Sequence, residues 1–290
     1  VNYLGYSQSI STYIPPGTVH LYDNIFIDKT ELANIHWLEF LHYLKTDSTL
    51  QVINAAIPDT TIFIKNAKDS VNYKLYLTHP SFRYSPVVNL SYQQAVNYGQ
   101  WRSEAVEMNV NEFPLGFGLR ANERIKVNYR LPTEKEWEFA AADGTDISQY
   151  KYGVKEPETP FKEKLKPKKA YSAAYSDTIT YKDFKKAFNK HKNSKDLIFN
   201  VIKSYHDLFD YGNHFPVNIN GEENFTNSRG IIHLIGNVSE MISQKGIAKG
   251  GSYLDHIDSV SIKSRWSYDK PSMILGVRYV CELEIIEIEE

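Results

Sequence analysis

The chain has 290 residues, a formal net charge of −2 and one cysteine, Cys281. A single thiol excludes an internal disulfide and any all-cysteine zinc or iron–sulfur site. The near-neutral charge supplies no global field to recruit nucleic acid, and no apolar run reaches the roughly 18 residues of a membrane span.

The start, Val1 to Gln8, is polar and aromatic and does not read as a signal peptide. Beginning at Val1 rather than Met, the chain reads as a processed or trimmed form. Leu21 to Asp28 predicts a strand. A helix follows from about Asn34 to Lys45, with Asn34 as N-cap and Trp37, Phe40, Leu41 and Leu44 at helical spacing. Tyr73 to Leu77 predicts another strand. Ser91 with Gln94 forms a capping box, and Ala95, Tyr98, Arg102 and Ala105 continue one helical face. Thr133 with Glu136 forms a second box, opening a helix that stops at Asp143-Gly144. Lys151 to Lys195 holds thirteen lysines against five acids and reads as a solvated insertion spanning about 151–210. Docking to an acidic partner, or to anionic lipid or polysaccharide, is the competing reading of that stretch. The alternating C-terminus, Val277 to Ile288, predicts a strand with a register change at Ile285-Ile286. Its glutamates, Glu282, Glu284, Glu287, Glu289 and Glu290, are expected on a solvent face or an edge.

Three motif stretches carry more than local structure. The first is Pro86-Val-Val-Asn-Leu-Ser-Tyr-Gln-Gln-Ala95, followed by Trp101. The second is Tyr129-Arg-Leu-Pro-Thr-Glu-Lys-Glu-Trp-Glu-Phe-Ala-Ala-Ala142. The third is Gly236-Asn-Val-Ser-Glu240, then Lys249-Gly-Gly-Ser-Tyr253, then Leu275-Gly-Val-Arg278. In this order they resemble the formylglycine-generating enzyme, or sulfatase-modifying factor, family. Phe26-Ile-Asp-Lys-Thr-Glu-Leu-Ala-Asn34 is similar to that family's N-terminal motif. The resemblance implies a single α+β domain over 1–290, a variant of the C-type lectin fold with little regular secondary structure. Arg130, with Glu136, Glu138, Glu240 and Arg278, is expected to form ion pairs that maintain this fold.

Active relatives oxidise a sulfatase cysteine to formylglycine, and two cysteines hold copper(I) and the substrate thiolate. Soft thiolates suit that ion. Here the first cysteine position reads Asp255 and the second Val260, or Ser259 or Ser261 with a one-residue slip. Neither Asp nor Val replaces a thiolate, so copper is not expected. The vestigial pocket comprises Ser252, Tyr253, Asp255 and Arg265. Cys281 is expected as a buried small hydrophobe, and Asp255, His256 and Asp258 as an exposed loop. The family also carries calcium. By resemblance its ligands would come from Gly236, Val238 and Glu240, but His233 stands where an oxygen donor is usual.

The resulting expectation is a non-catalytic binding or scaffold protein. His79-Pro-Ser-Phe-Arg-Tyr-Ser-Pro-Val-Val88 and Trp101-Arg-Ser103 resemble the cysteine-less Bacteroidetes branch, envelope lipoproteins of gliding motility and type IX secretion. That branch implies protein partners, a periplasmic or outer-membrane location and a lipid anchor. A mature lipoprotein begins with cysteine, and Val1 does not. A sulfatase-maturing oxidase and a carbohydrate-binding, lectin-like protein are the alternatives.

Overall fold

The computed structural model describes residues 13–59, 63–65, 70–112, 119–153, 216, 218–220 and 226–288. The greater part of the lysine-rich stretch, from residue 154, and the terminal Glu289 and Glu290 lie outside the described residues.

One antiparallel sheet ties the two ends of the chain together. Its order is β1 (Thr18–Tyr22), β2 (Ile25–Asp28), β10 (Val280–Glu287), β5 (Glu123–Arg130). The predicted strand at Leu21–Asp28 is therefore a hairpin. Asp23 takes φ 45°, a turn conformation that Asp tolerates, and the chain reverses there. The C-terminal strand is correctly located but has no register change: its eight pairs with β5 run unbroken from Val280↔Arg130 to Glu287↔Glu123. It lies between β2 and β5 and is no edge. Glu284 and Glu287 are exposed, while Glu282 meets Arg130 at 3.5 Å.

Helices close over this sheet. In α1 (Asn34–Asp47) the N-cap is Ala33, one residue earlier than predicted. Asn34 instead turns inward, and its amide donates to the carbonyls of Tyr76 and Phe82 at 3.1 and 3.0 Å. After α2 (Leu50–Ala56), β3 (Phe63–Lys65) pairs with β4 (Ser70–Asn72). Tyr73–Thr78 is then a helix, α3, not the predicted strand. Tyr76 and Leu77 are adjacent and both buried, whereas a strand sends neighbours to opposite faces.

The longest helix, α4 (Tyr92–Glu112), starts at the predicted box: Ser91 Oγ accepts from Gln94 N–H, and Gln94 Oε1 accepts from Ser91 N–H. It also covers the outer edge of β5. Ser103, Glu107 and Asn111, four residues apart, accept from the N–H groups of Tyr129, Val127 and Ile125 at 2.7, 2.8 and 2.9 Å. Edge donors that would otherwise need water or another chain are satisfied within the fold. In α5 (Glu134–Ala142) the Thr133–Glu136 box is present, and Asp143 ends the helix at φ 47°. The second sheet is small, with order β8 (Trp266–Ser267), β7 (Ile247–Lys249), β6 (Ser239–Met241), β9 (Leu275–Gly276). Trp37 and Trp137, both fully buried, belong to the two separate core clusters. Among the described residues no helix is long and apolar enough to cross a membrane.

Candidate functional site

The residues predicted to form a pocket lie in the loop following β7, beside a buried polar network. At the centre of that network Arg278 and Glu240 are both inaccessible to solvent. Arg278 Nε donates to both Glu240 oxygens at 3.0 Å, and its terminal nitrogen reaches Oε1 at 2.7 Å. The remaining guanidinium donors meet the carbonyls of Asp28 and Ile232 at 2.9 and 2.6 Å. Trp137 Nε1 donates to Glu240 Oε2 at 2.7 Å. This network joins β2, α5, β6 and the segment before β10. Nearby, Asn237 gives its amide to both oxygens of buried Glu31. On the outside, Arg130 grips Glu136 with two bonds of 2.8 Å.

Gly250 and Gly251 turn the chain out of β7, both at positive φ. A side chain at Gly251 would meet Val260 at 2.7 Å, and one at Gly250 would meet the Leu234 carbonyl at 2.9 Å. Ser252 and Asp255 then close a turn on themselves. One Asp255 carboxylate oxygen accepts from both the N–H and the hydroxyl of Ser252, each at 2.7 Å. Tyr253 is buried, its N–H held by the Asn237 carbonyl, and burial pushes its hydroxyl up to about 12. Val260 is 1% exposed and belongs to the core with Trp137 and Ile262.

Arg265 is not part of this turn. Half-exposed, it reaches Glu134 at 3.3 Å and Gln244 at 2.8 Å. It belongs to a charge cluster on α5 that sequence reading did not find. Lys249, wholly buried, lies 3.2 Å from Glu134 and 2.9 Å from Glu138, and Lys263 pairs with Glu138 from the loop side. Burial disfavours the Glu138 anion, but hydrogen bonds from Lys263 and Lys249 outweigh this and hold its carboxyl below the usual range. The Lys that precedes Gly-Gly was the available signal. His256 and Asp258 are exposed, apart from the inward-turned Asp255, so the three side chains form no joint cluster.

The sulfatase-modifying factor enzyme 1-like domain family matches residues 3–283. The chain belongs to that family. No curated protein matches it. The crystal structure of CarF is similar, with 16% identity over 94% of this chain and 95% of that chain, TM-score 0.45. PvdO from Pseudomonas aeruginosa has 14% identity over 91% and 82%, TM-score 0.47. Treponema denticola variable protein 1 has 14% identity over 93% and 92%, TM-score 0.42.

The family's metals can be tested against these donors. Copper(I) needs soft ligands, whereas Asp255 offers oxygens bound to Ser252 and Val260 offers hydrocarbon. These residues do not fit it. Cys281 lies elsewhere, in β10 opposite Tyr129 and Phe26, and burial pushes its thiol up to about 12. Calcium needs accessible oxygens, but both Glu240 oxygens accept from Arg278, and one also accepts from Trp137. His233 is buried, and burial, with Arg278 nearby, lowers its pKa to about 3. A buried neutral imidazole beside a guanidinium does not fit calcium either. Among the described residues no group of three His, Cys, Asp or Glu side chains is placed to hold a metal ion.

Proposed function

We propose that this chain is a non-catalytic member of its family, a binding or scaffold protein of a bacterial cell envelope. Its place would be the periplasm or the outer membrane, among protein partners of a type IX secretion or gliding machine. The observation that carries the reading is the state of the two thiol positions. Asp255 spends its carboxylate on Ser252, and Val260 fills the core beneath Gly251. Neither atom set can deliver electrons from a bound thiolate to oxygen. The finer assignment rests on the resemblance of the segment His79–Val88. That segment anchors through buried Val87 and Val88 while exposing Arg83 and Tyr84 to a partner.

The decisive experiment incubates the chain with copper, oxygen and a Cys-x-Pro-x-Arg peptide and follows the peptide by mass spectrometry. No aldehyde product is expected, and a clear aldehyde mass would establish the oxidase alternative. Co-purification from native membranes tests the partner. Recovery as a partner-free monomer would count against the secretion or gliding role.

A further inference from the structure

A second cleft, of about 450 Å³, lies between the segment that joins β2 to α1 and the middle of α4. It shares no lining residue with the loop 252–265, so its reading does not depend on the proposal above. The volume falls in the range of roughly 300–1,000 Å³ typical of ligand sites. The rings of Tyr98 and Trp101, 5.4 Å apart, form its wall. The indole N–H of Trp101 is buried and has no acceptor among the described residues.

The charges that line the cleft decide what it takes. Arg102 is already committed, with two 2.8 Å bonds to Asp28 and one of 2.9 Å to the Pro16 carbonyl. That pair cancels itself. Glu31 is held by Asn237. Burial first, then Arg102, lowers the pKa of His36, so its ring adds no positive charge at neutral pH. Glu39 remains, exposed at the rim and with no ion pair among the described residues. One free carboxylate on a cleft lined by the partly exposed ring of Trp101, which is backed by buried Tyr98, favours a cation. An orphaned indole donor favours a carbonyl close to that cation.

We propose that this cleft binds an arginine or lysine side chain of a partner polypeptide, its cationic head near Glu39 and the aromatic wall, its main-chain carbonyl available to Trp101.

Calorimetric titration of the full chain with N-acetyl-Gly-Arg-Gly-amide tests this. Saturable binding is expected, with none for the Gly-Glu-Gly counterpart. Glu39→Gln, at an exposed position, should weaken binding at least tenfold, and Ala105→Phe, which fills the cleft, should abolish it. Circular dichroism and melting checks would show that both variants fold. Agmatine carries the guanidinium without peptide carbonyls and should bind at least threefold more weakly. No saturable binding, or an unchanged affinity in Glu39→Gln, would overturn the site. Equal affinity for agmatine would overturn its assignment to a polypeptide.

Discussion

His233 makes the folded chain sensitive to mild acid. It sits at φ 60°, is 5% exposed, and its Nε2 has no hydrogen-bond partner among the described residues. Burial, reinforced by Arg278, lowers its pKa from 6.5 to about 3. Unfolding restores the ordinary value. Because the folded value is the lower one, protonation favours the unfolded chain. The contribution of His233 is complete above pH 6.5 and is lost as pH falls from there towards 3. One pKa unit is about 1.36 kcal/mol, so the loss is about 2 kcal/mol at pH 5 and about 5 kcal/mol at the limit. Domains have only about 5–15 kcal/mol in total. Urea unfolding of the native chain and of His233→Asn at pH 8, 7, 6 and 5 measures the effect. Asparagine tolerates the turn conformation and does not titrate. Glu31 works in the opposite direction, since burial, then Glu240, raises its carboxyl. That effect is common to both chains and leaves the difference between them. From pH 8 to pH 5 the difference should move by about 2 kcal/mol in favour of the variant. Parallel pH profiles would refute the reasoning.

Three further outcomes follow from named contacts. Gly251→Ala should destabilise the fold by about 1–3 kcal/mol, because φ is +71° and the new methyl meets Val260. Adding Val260→Ala should recover part of that loss in the double variant, and strict additivity in urea melts would contradict the contact. Cys281 should resist a thiol reagent until the chain unfolds, since it is wholly buried and its thiol is raised to about 12; stoichiometric labelling under native conditions would disprove this. Asn111→Ala leaves both polar groups of Ile125 without their partner, and should cost about 1–3 kcal/mol in chemical unfolding.

What was legible in the sequence was local or carried by motif. The boxes at Ser91 and Thr133 are satisfied within three residues, and Arg130 finds Glu136 only six residues away. The same short range misled at Tyr73–Leu77, where β-prone aromatics form a helix once Tyr76 and Leu77 both turn inward. Leu21–Asp28 was read as one strand because the two-residue turn Asp23-Asn24, with Asp23 at positive φ, joins two short apolar stretches. Contacts between residues distant in sequence were not legible from local pattern. The Asn237–Glu31 bonds, the burial of Lys249 and the bonds from α4 to the edge of β5 depend on tertiary placement. The motif singled out Ser252, Asp255 and Arg265, but not that Asp255 closes a turn and Arg265 leaves it for α5.

The turn at Ser252–Asp255 and the network that fixes the fold are physically separable in this chain. The network that fixes the fold runs through Arg278, Glu240 and Trp137, and none of its bonds involves residues 252–265. Asp255 satisfies donors of its own turn, which removes the desolvation cost of an unpaired carboxylate. Val260 contributes apolar burial beneath Gly251. The loop is then pinned to α5 by Lys263 and Arg265, outside the turn. Among the described residues, the turn therefore strands no buried polar side-chain atom.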